Sequence, residues 1–351
     1  MDAAARAAAS VPPAPGVSMP HAAPSRVAAM RRPRVGVVKL ASCDGCQLTI
    51  LDLEDHLLEV AERFDIVEFA EATSRRSSGP FDVLLVEGSI TTPEQSVEIV
   101  RLRAETRQLV TIGACATAGG IQALRTAAEH EAFRAAVYPV PAYVDSLATA
   151  RPIHEFVTVD AELRGCPIDP GQLLELLTAL ATGRRPQLPD EAVCLECKRR
   201  GNPCVVVTRG LPCLGPVTRT GCGAICPAFG RGCYGSFGPR EGANTVGLAQ
   251  AFISGAGAGA GAGSGAGAGD MTLGRDPADV GRLFAGFTGA APAFRLATDR
   301  YRGRPQLPLR STLAAPPETL REGPPTWGPA PAGDGAEHPP APREETDGPR
   351  G

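Results

Sequence analysis

The chain has 351 residues, with 41 glycines, 34 prolines, 11 cysteines and a formal net charge of −3. A charge so near neutral gives no global basic field for nucleic acid or an anionic membrane, and no apolar run approaches the roughly 20 residues a spanning helix needs. The glycines and prolines gather at both ends and in one cysteine-rich stretch, so only part of the chain is expected to fold around a core.

Residues 1–33 read as a disordered Ala/Pro-rich extension. No apolar stretch follows Arg31 and Arg32 before a cleavage site, so an export signal is rejected and a cytoplasmic location is expected. From Arg34, strand and helix alternate. Val35–Ala41 is a β-branched run expected to be a strand buried on both faces. Residues 46–64 read as one amphipathic helix, with Leu48, Leu51, Leu53, Leu57, Leu58 and Ala61 at largely helical spacing. Ile66–Phe69 and Phe81–Val86 are further strands. Thr92-Pro93-Glu94 opens a helix with a hydroxyl cap and a proline in the first turn. Gln108–Ile112 is a fourth strand and Phe156–Val159 a fifth, before a helix from about Asp169 to Ala181. This alternation predicts an α/β fold, a flavodoxin-like parallel sheet spanning 34–190.

The cysteines fall into two blocks. Cys43, Cys46, Cys115 and Cys166 are spread through the sheet domain; Cys194, Cys197, Cys204, Cys213, Cys222, Cys226 and Cys233 crowd a short segment. Thiols at this density without a secretory signal usually hold metal or iron–sulfur clusters, not disulfides. Four would complete one cluster and seven nearly complete two more, which points to a chain that conducts electrons. The first four follow the first, fourth and fifth strands, whose loops converge on one edge of an open parallel sheet. Gly45, Gly113 and Gly165 beside them permit close backbone approach. Amides at the following helix starts are expected to lower the thiol pKa values. A structural zinc site is the competing reading. Zinc usually draws on two closely spaced pairs, whereas Cys115 and Cys166 stand alone.

The motifs Ser42-Cys43-Asp44-Gly45-Cys46-Gln47, Val86-Glu87-Gly88-Ser89, Gly113-Ala114-Cys115-Ala116, Gly119-Gly120-Ile121-Gln122 and Gly165-Cys166-Pro167 resemble the small subunits of nickel–iron hydrogenases. The second cysteine block resembles their cytosolic multi-subunit branch, which includes NADP-linked hydrogenases and sulfhydrogenases. The likeness runs from about Arg34 to Pro239. It implies that Cys43, Cys46, Cys115 and Cys166 bind a proximal [4Fe-4S] cluster, the one nearest the nickel–iron centre of a large subunit. The cluster subunit of NADH:quinone oxidoreductase is a cousin, but it has adjacent cysteines in place of C-x-x-C and no second block.

By chain order, Cys194, Cys197, Cys204 and Cys213 are assigned to a distal [4Fe-4S] cluster, and Cys222, Cys226 and Cys233 to a medial one. Ser236 stands where the family pattern usually has a further cysteine, so the medial cluster is expected to be [3Fe-4S] or a labile [4Fe-4S]. Residues 191–250 thus read as a small irregular two-cluster domain that relies on metal for folding. Residues 251–351 read as a Gly/Ala linker and a Pro-rich, largely disordered tail, with a short amphipathic helix at Asp276–Phe284 suited to docking on a partner.

His56 and His154 read as surface and strand-edge residues. Glu87 reads equally as part of a proton path or as a loop-holding carboxylate, and Lys198-Arg199-Arg200 as a solvated turn or an acidic-partner dock. No dinucleotide fingerprint or P-loop is present, so no NAD or flavin is expected on this chain. The resemblance implies an electron-transfer subunit of a hydrogenase, an oxidoreductase acting on H2 whose catalytic centre lies in another subunit. The implied partners are a nickel–iron large subunit and iron–sulfur and flavin NAD(P)-linked subunits. The alternatives are a subunit of an NADH:quinone oxidoreductase-like complex and a cluster-bearing redox sensor.

Overall fold

The computed structural model describes residues 31–127, 129–255 and 276–301. Its strands are β1 (Arg34–Lys39), β2 (Asp65–Phe69), β3 (Phe81–Glu87), β4 (Thr106–Ile112) and β5 (Ala161–Leu163). They form one sheet in the order β2-β1-β3-β4-β5, and every pairing is parallel. This is the flavodoxin-like order, with the chain reversing its direction of travel between β1 and β3.

Both faces of the sheet are covered, which is why its strands read as continuous apolar runs. On one face Val35, Val37, Val83, Leu85, Val110 and Ile112 pack with Leu173, Leu176 and Leu177 of helix Pro170–Thr182. On the other, Leu84, Val86 and Leu109 pack with Ile99 and Leu102 of helix Pro93–Ala104. Each fully buried aliphatic side chain here contributes about 1.5–3 kcal/mol. Helix Pro93–Ala104 starts as its sequence predicts. Thr92 Oγ1 accepts from Gln95 N at 3.3 Å and Gln95 Oε1 accepts from Thr92 N at 3.2 Å, a reciprocal cap.

Three elements differ from the sequence reading. The helix expected over 46–64 is two, Gly45–Leu51 and Asp55–Arg63, broken where Glu54 takes φ 50°. Leu53 is buried as expected, at 5% exposed, but Leu48 and Leu58 of the same expected face are 49% and 69% exposed, because the break changes the direction of the two helices. The fifth strand is Ala161–Leu163 and not Phe156–Val159. Phe156, Val157 and Val159 instead pack against one face of the sheet. Pairing with β4 begins only at Asp160, whose N–H donates to Leu109 O at 2.9 Å and whose carboxylate accepts from Leu109 N at 2.7 Å.

The third difference lies beyond Ser254, where the sequence reading places no core. Helices Thr245–Ser254, Pro277–Ala285 and Pro292–Tyr301 pack together. Their Phe252, Phe284 and Phe294 form one core with Val193, Val205, Leu214 and Val217 of the cysteine-rich segment. The Phe284 and Phe294 rings meet edge to face at 5.6 Å. The helix expected near Asp276 is present, capped by the Asp276 carboxylate, but its apolar side is spent on this chain and not on a partner. Thr288 Oγ1 donates to Gly235 O at 2.9 Å, and a Cβ on Gly235 (φ 77°) would lie 2.7 Å from the Phe294 ring. The C-terminal helices therefore grip the backbone next to Cys233 and Ser236.

The N-terminal extension up to residue 30, most of the Gly/Ala repeat and the Pro-rich tail lie outside the described residues. Among the described residues, no helix is long and apolar enough to cross a membrane.

Phe294→Ala should remove about 3–5 kcal/mol of stability, as deletion of a fully buried ring does. Denaturant unfolding followed by circular dichroism checks this. A loss under about 1 kcal/mol would mean the C-terminal helices add little to this core.

Candidate metal centres

The carboxyl ends of β1, β3, β4 and β5 are laced into one platform. Ala41 and Ser89 exchange backbone bonds at 3.2 and 3.0 Å, Leu40 N donates to Glu87 O at 2.8 Å, and Ala114 N donates to Gly165 O at 2.6 Å. Gln122 Nε2 reaches across to Ala41 O at 2.6 Å. Gly88 is required in this lacing: its φ is 99°, and a Cβ would stand 2.8 Å from Ala41 N.

On this platform the structure brings Cys43, Cys46, Cys115 and Cys166 together, close enough for the thiols to act on one another electrostatically. Asp44, in the left-handed region at φ 68° and paired with Lys39 Nζ at 2.5 Å, starts helix Gly45–Leu51 and sets Cys46 in its first turn. Cys115 lies in helix Gly113–Ala118, and its thiol donates to Gln122 Oε1 at 3.5 Å. Glycine backbone presses on both sulfurs. A Cβ on Gly113 would lie 2.4 Å from Cys46 Sγ, and one on Gly120 would lie 2.6 Å from Cys115 Sγ. Cys46 is buried, Cys115 and Cys166 half-buried and Cys43 exposed, so the group opens to the surface on one side.

For Cys46, Cys115 and Cys166 the expected lowering by helix starts does not hold. Burial pushes Cys115 up to about 11, and it raises Cys46 and Cys166 as well. Glu87 and the neighbouring cysteines add to the rise in all three, because a new negative charge here meets others already present. Glu87 itself is 1% exposed, with Oε1 accepting from Cys46 N at 3.2 Å and Oε2 from Gln47 N at 3.3 Å. Of its two roles read from sequence, the geometry shows the loop-holding one. Burial pushes its carboxyl up, and these two amides oppose that.

In the second block, Cys194 and Cys197 lie on helix Val193–Arg199, Cys204 caps helix Val205–Arg209, and Cys213 is buried nearby. A Cβ on Gly215 would stand 3.3 Å from Cys213 Sγ and 3.5 Å from Cys194 Sγ. Burial pushes Cys194 up to about 11, and Cys213, Cys197 and Cys204 add to it, which marks the four as neighbours. Cys226 adds to the rise that burial gives Cys222, and Cys233 feels Cys213 and Cys222. Cys233 thus stands between the two groups, with its N–H donating to Cys213 Sγ at 3.1 Å. Ser236 is half-buried three residues on, and among the described residues nothing hydrogen-bonds its hydroxyl. His56 is exposed on its helix and 3.8 Å from Glu59, whereas His154 sits in a turn, not at a strand edge, 3.6 Å from Glu162.

Sequence reasoning missed three residues that hold these groups in place. Gln122 links Cys115 to the β1 loop; its only signal was its position in the Gly119–Gln122 motif. Glu196 accepts from Gly221 N at 3.0 Å and Ala224 N at 3.1 Å, which fixes the turn carrying Cys222. Phe237 is 4% exposed, and its ring lies 2.9 Å from where a Cβ would be on Gly165 and on Gly221. It fills the space between the Cys166 loop and the Cys222 loop. No linear pattern marks it.

Among the described residues no three His, Cys, Asp or Glu side chains are placed to hold a single metal ion. The thiols of each block are near enough to act on one another, some buried and Cys43 and Cys204 exposed, and glycine backbone leaves room beside Cys46, Cys115, Cys194 and Cys213 where a Cβ would not, an arrangement that suits a larger thiolate-bound group.

Residues 43–180 match the family described as NADH ubiquinone oxidoreductase, 20 Kd subunit. The chain is 38% identical over 216 residues to sulfhydrogenase 2 subunit delta of Pyrococcus furiosus, covering 61% of this chain and 90% of that one. It is 32% identical over 255 residues to a vhu subunit of the F420-non-reducing hydrogenase of Methanocaldococcus jannaschii, covering 62% and 86%. It is 28% identical over 171 residues to the NAD-reducing hydrogenase HoxS subunit delta of Cupriavidus necator, covering 44% and 82%. With its parallel sheet and its cysteines at the strand ends, this chain belongs to the family of multi-subunit hydrogenase subunits typified by sulfhydrogenase subunit delta.

Proposed function

We propose that this chain is the electron-transfer subunit of a nickel–iron hydrogenase. It carries electrons between the H2-splitting centre of a large subunit and an NAD(P)-linked flavin partner. Cys43, Cys46, Cys115 and Cys166 would hold the proximal cluster, Cys194, Cys197, Cys204 and Cys213 the distal one, and Cys222, Cys226 and Cys233, with Ser236 nearby, the medial one. When bound, such clusters supply reversible one-electron storage at potentials set by burial and hydrogen bonds to sulfur.

The observation that carries this reading is the meeting of four cysteines, distant in sequence, at the carboxyl edge of a rigid sheet. Grouping in the second block supports its ligand sets in the same way. Glu87 and Gln122 fix the two loops that present Cys46 and Cys115, while Phe237 excludes water between the first and second blocks.

Metal analysis of the anaerobically purified native complex, with EPR on the same sample, tests the reading. About eleven to twelve irons on this chain with nickel in a companion subunit is the expected result. Stoichiometric zinc with little iron would leave a structural module, and iron without nickel would point to a quinone-reductase-like complex or a sensor.

Two variants sharpen the test. Gly113→Ala forces a Cβ to 2.4 Å from Cys46 Sγ at φ 84°, so it should cost the chain about four irons. Full iron retention would remove the proximal assignment. Ser236→Cys should add about one iron and abolish a three-iron EPR signal in the oxidised complex. If the unmodified complex shows no such signal and already holds about twelve irons, the three-iron reading fails.

A further inference from the structure

The whole chain carries a net charge of −3, yet between Cys194 and Tyr234 the only carboxylate is Glu196, against six basic residues. Glu196 is taken by the amides of Gly221 and Ala224, and one of the basic residues, Arg219, pairs with Asp190 at 2.7 Å. The other five, Lys198, Arg199, Arg200, Arg209 and Arg231, are all exposed. Among the described residues, none of them has a carboxylate partner within 4.0 Å.

Two of these cations are held against one loop. Arg200 Nη1 donates to Gly223 O at 2.5 Å and Arg209 Nη1 donates to Gly230 O at 3.2 Å, so the two bracket the loop 223–231. That loop holds Cys226 and presents Ile225 and Phe229, 53% and 79% exposed. Lys198 and Arg199 adjoin Arg200 at the end of their helix, and Arg231 closes the loop on the far side. Exposed Cys204 begins the helix that carries Arg209. A large exposed apolar side chain in a loop flanked by Arg200 and Arg209, in a segment whose other exposed cations have no carboxylate partner, has the make-up of an interface. Its sign sets the partner's sign.

We propose that this face is the docking surface for an acidic one-electron carrier protein, which exchanges electrons with the chain at the Cys226 and Cys204 edge. The proposal rests on the electron-transfer reading above. Each encounter moves one electron and breaks no bond. Two reduced carriers balance one H2 oxidised to two protons. The cations of this segment steer the carrier in, and Phe229 supplies the apolar contact.

The test uses the anaerobically purified complex and H2, with an acidic plant-type [2Fe-2S] ferredoxin, basic cytochrome c and benzyl viologen as separate acceptors. Raising ionic strength from about 0.02 to about 0.5 M should slow ferredoxin reduction about tenfold and leave cytochrome c reduction unslowed, because screening removes only an attraction. The double variant Lys198→Glu/Arg199→Glu, whose side chains make no hydrogen bond among the described residues, should lower the low-salt ferredoxin rate about tenfold and flatten its salt dependence. Phe229→Ala, an exposed truncation, should slow ferredoxin several-fold at every salt concentration. Viologen reduction should be the same in all samples.

A salt-insensitive rate for the unmodified complex, or charge-reversed complex as fast as the unmodified one, overturns the dock. Iron content and viologen reduction on the same samples separate the two readings. If both are intact and ferredoxin reduction is salt-insensitive, the dock fails alone; if iron is absent, the electron-transfer reading fails with it.

Discussion

The constraint on which the rest of the structure depends is the crowding of thiols in partly buried sites. A buried thiolate is unfavourable, and several side by side are worse, since each raises the pKa of the next. Around Cys46 and Cys115 the neighbouring charges include Glu87 and other cysteines, so the protein does not supply the main counter-charge itself. A bound cationic group would invert that balance. The same logic holds around Cys194 and Cys213, where Lys198 is a weak exception at the margin.

The two halves of the molecule meet this constraint differently. The sheet domain has a large apolar core on both faces of the sheet, and its cysteines occupy loops fixed by backbone bonds and by Gln122 and Glu87. The cysteine-rich segment has few strands or long helices of its own. It obtains its core from helices Thr245–Ser254, Pro277–Ala285 and Pro292–Tyr301, whose three phenylalanines pack under the cysteine loops. Gly235 and Thr288 join that core to Cys233, so packing and site geometry are coupled there. Phe237, pressed on Gly165 and Gly221, couples the halves to each other.

Charge is distributed with the same economy. Acidic side chains near the cysteines act as backbone acceptors, as Glu87 and Glu196 do, while the unpaired cations lie on the outer surface of the second block. The interior therefore keeps its electrostatics for whatever the thiols hold. The exterior keeps a sign of its own, visible to a partner beyond a Debye length only at low salt.

The sequence by itself determined the class of fold, four of the five strands and the start of helix Pro93–Ala104, because β-branched runs and a Thr-Pro cap act locally. It also determined which cysteines stand at strand ends, since a parallel sheet sends those loops to one edge. It did not determine the break at Glu54, the displaced fifth strand or the helical core beyond Ser254. A positive φ at a glutamate, an apolar run that packs without pairing, and phenylalanines separated by a Gly/Ala run leave no local mark. Only the tertiary structure decided that Glu87 serves two backbone amides, that Phe237 fills the gap between cysteine blocks, and that Arg200 and Arg209 hold one loop. Each of these depends on contacts between residues far apart in the chain, and such contacts form only when the packed core brings them together.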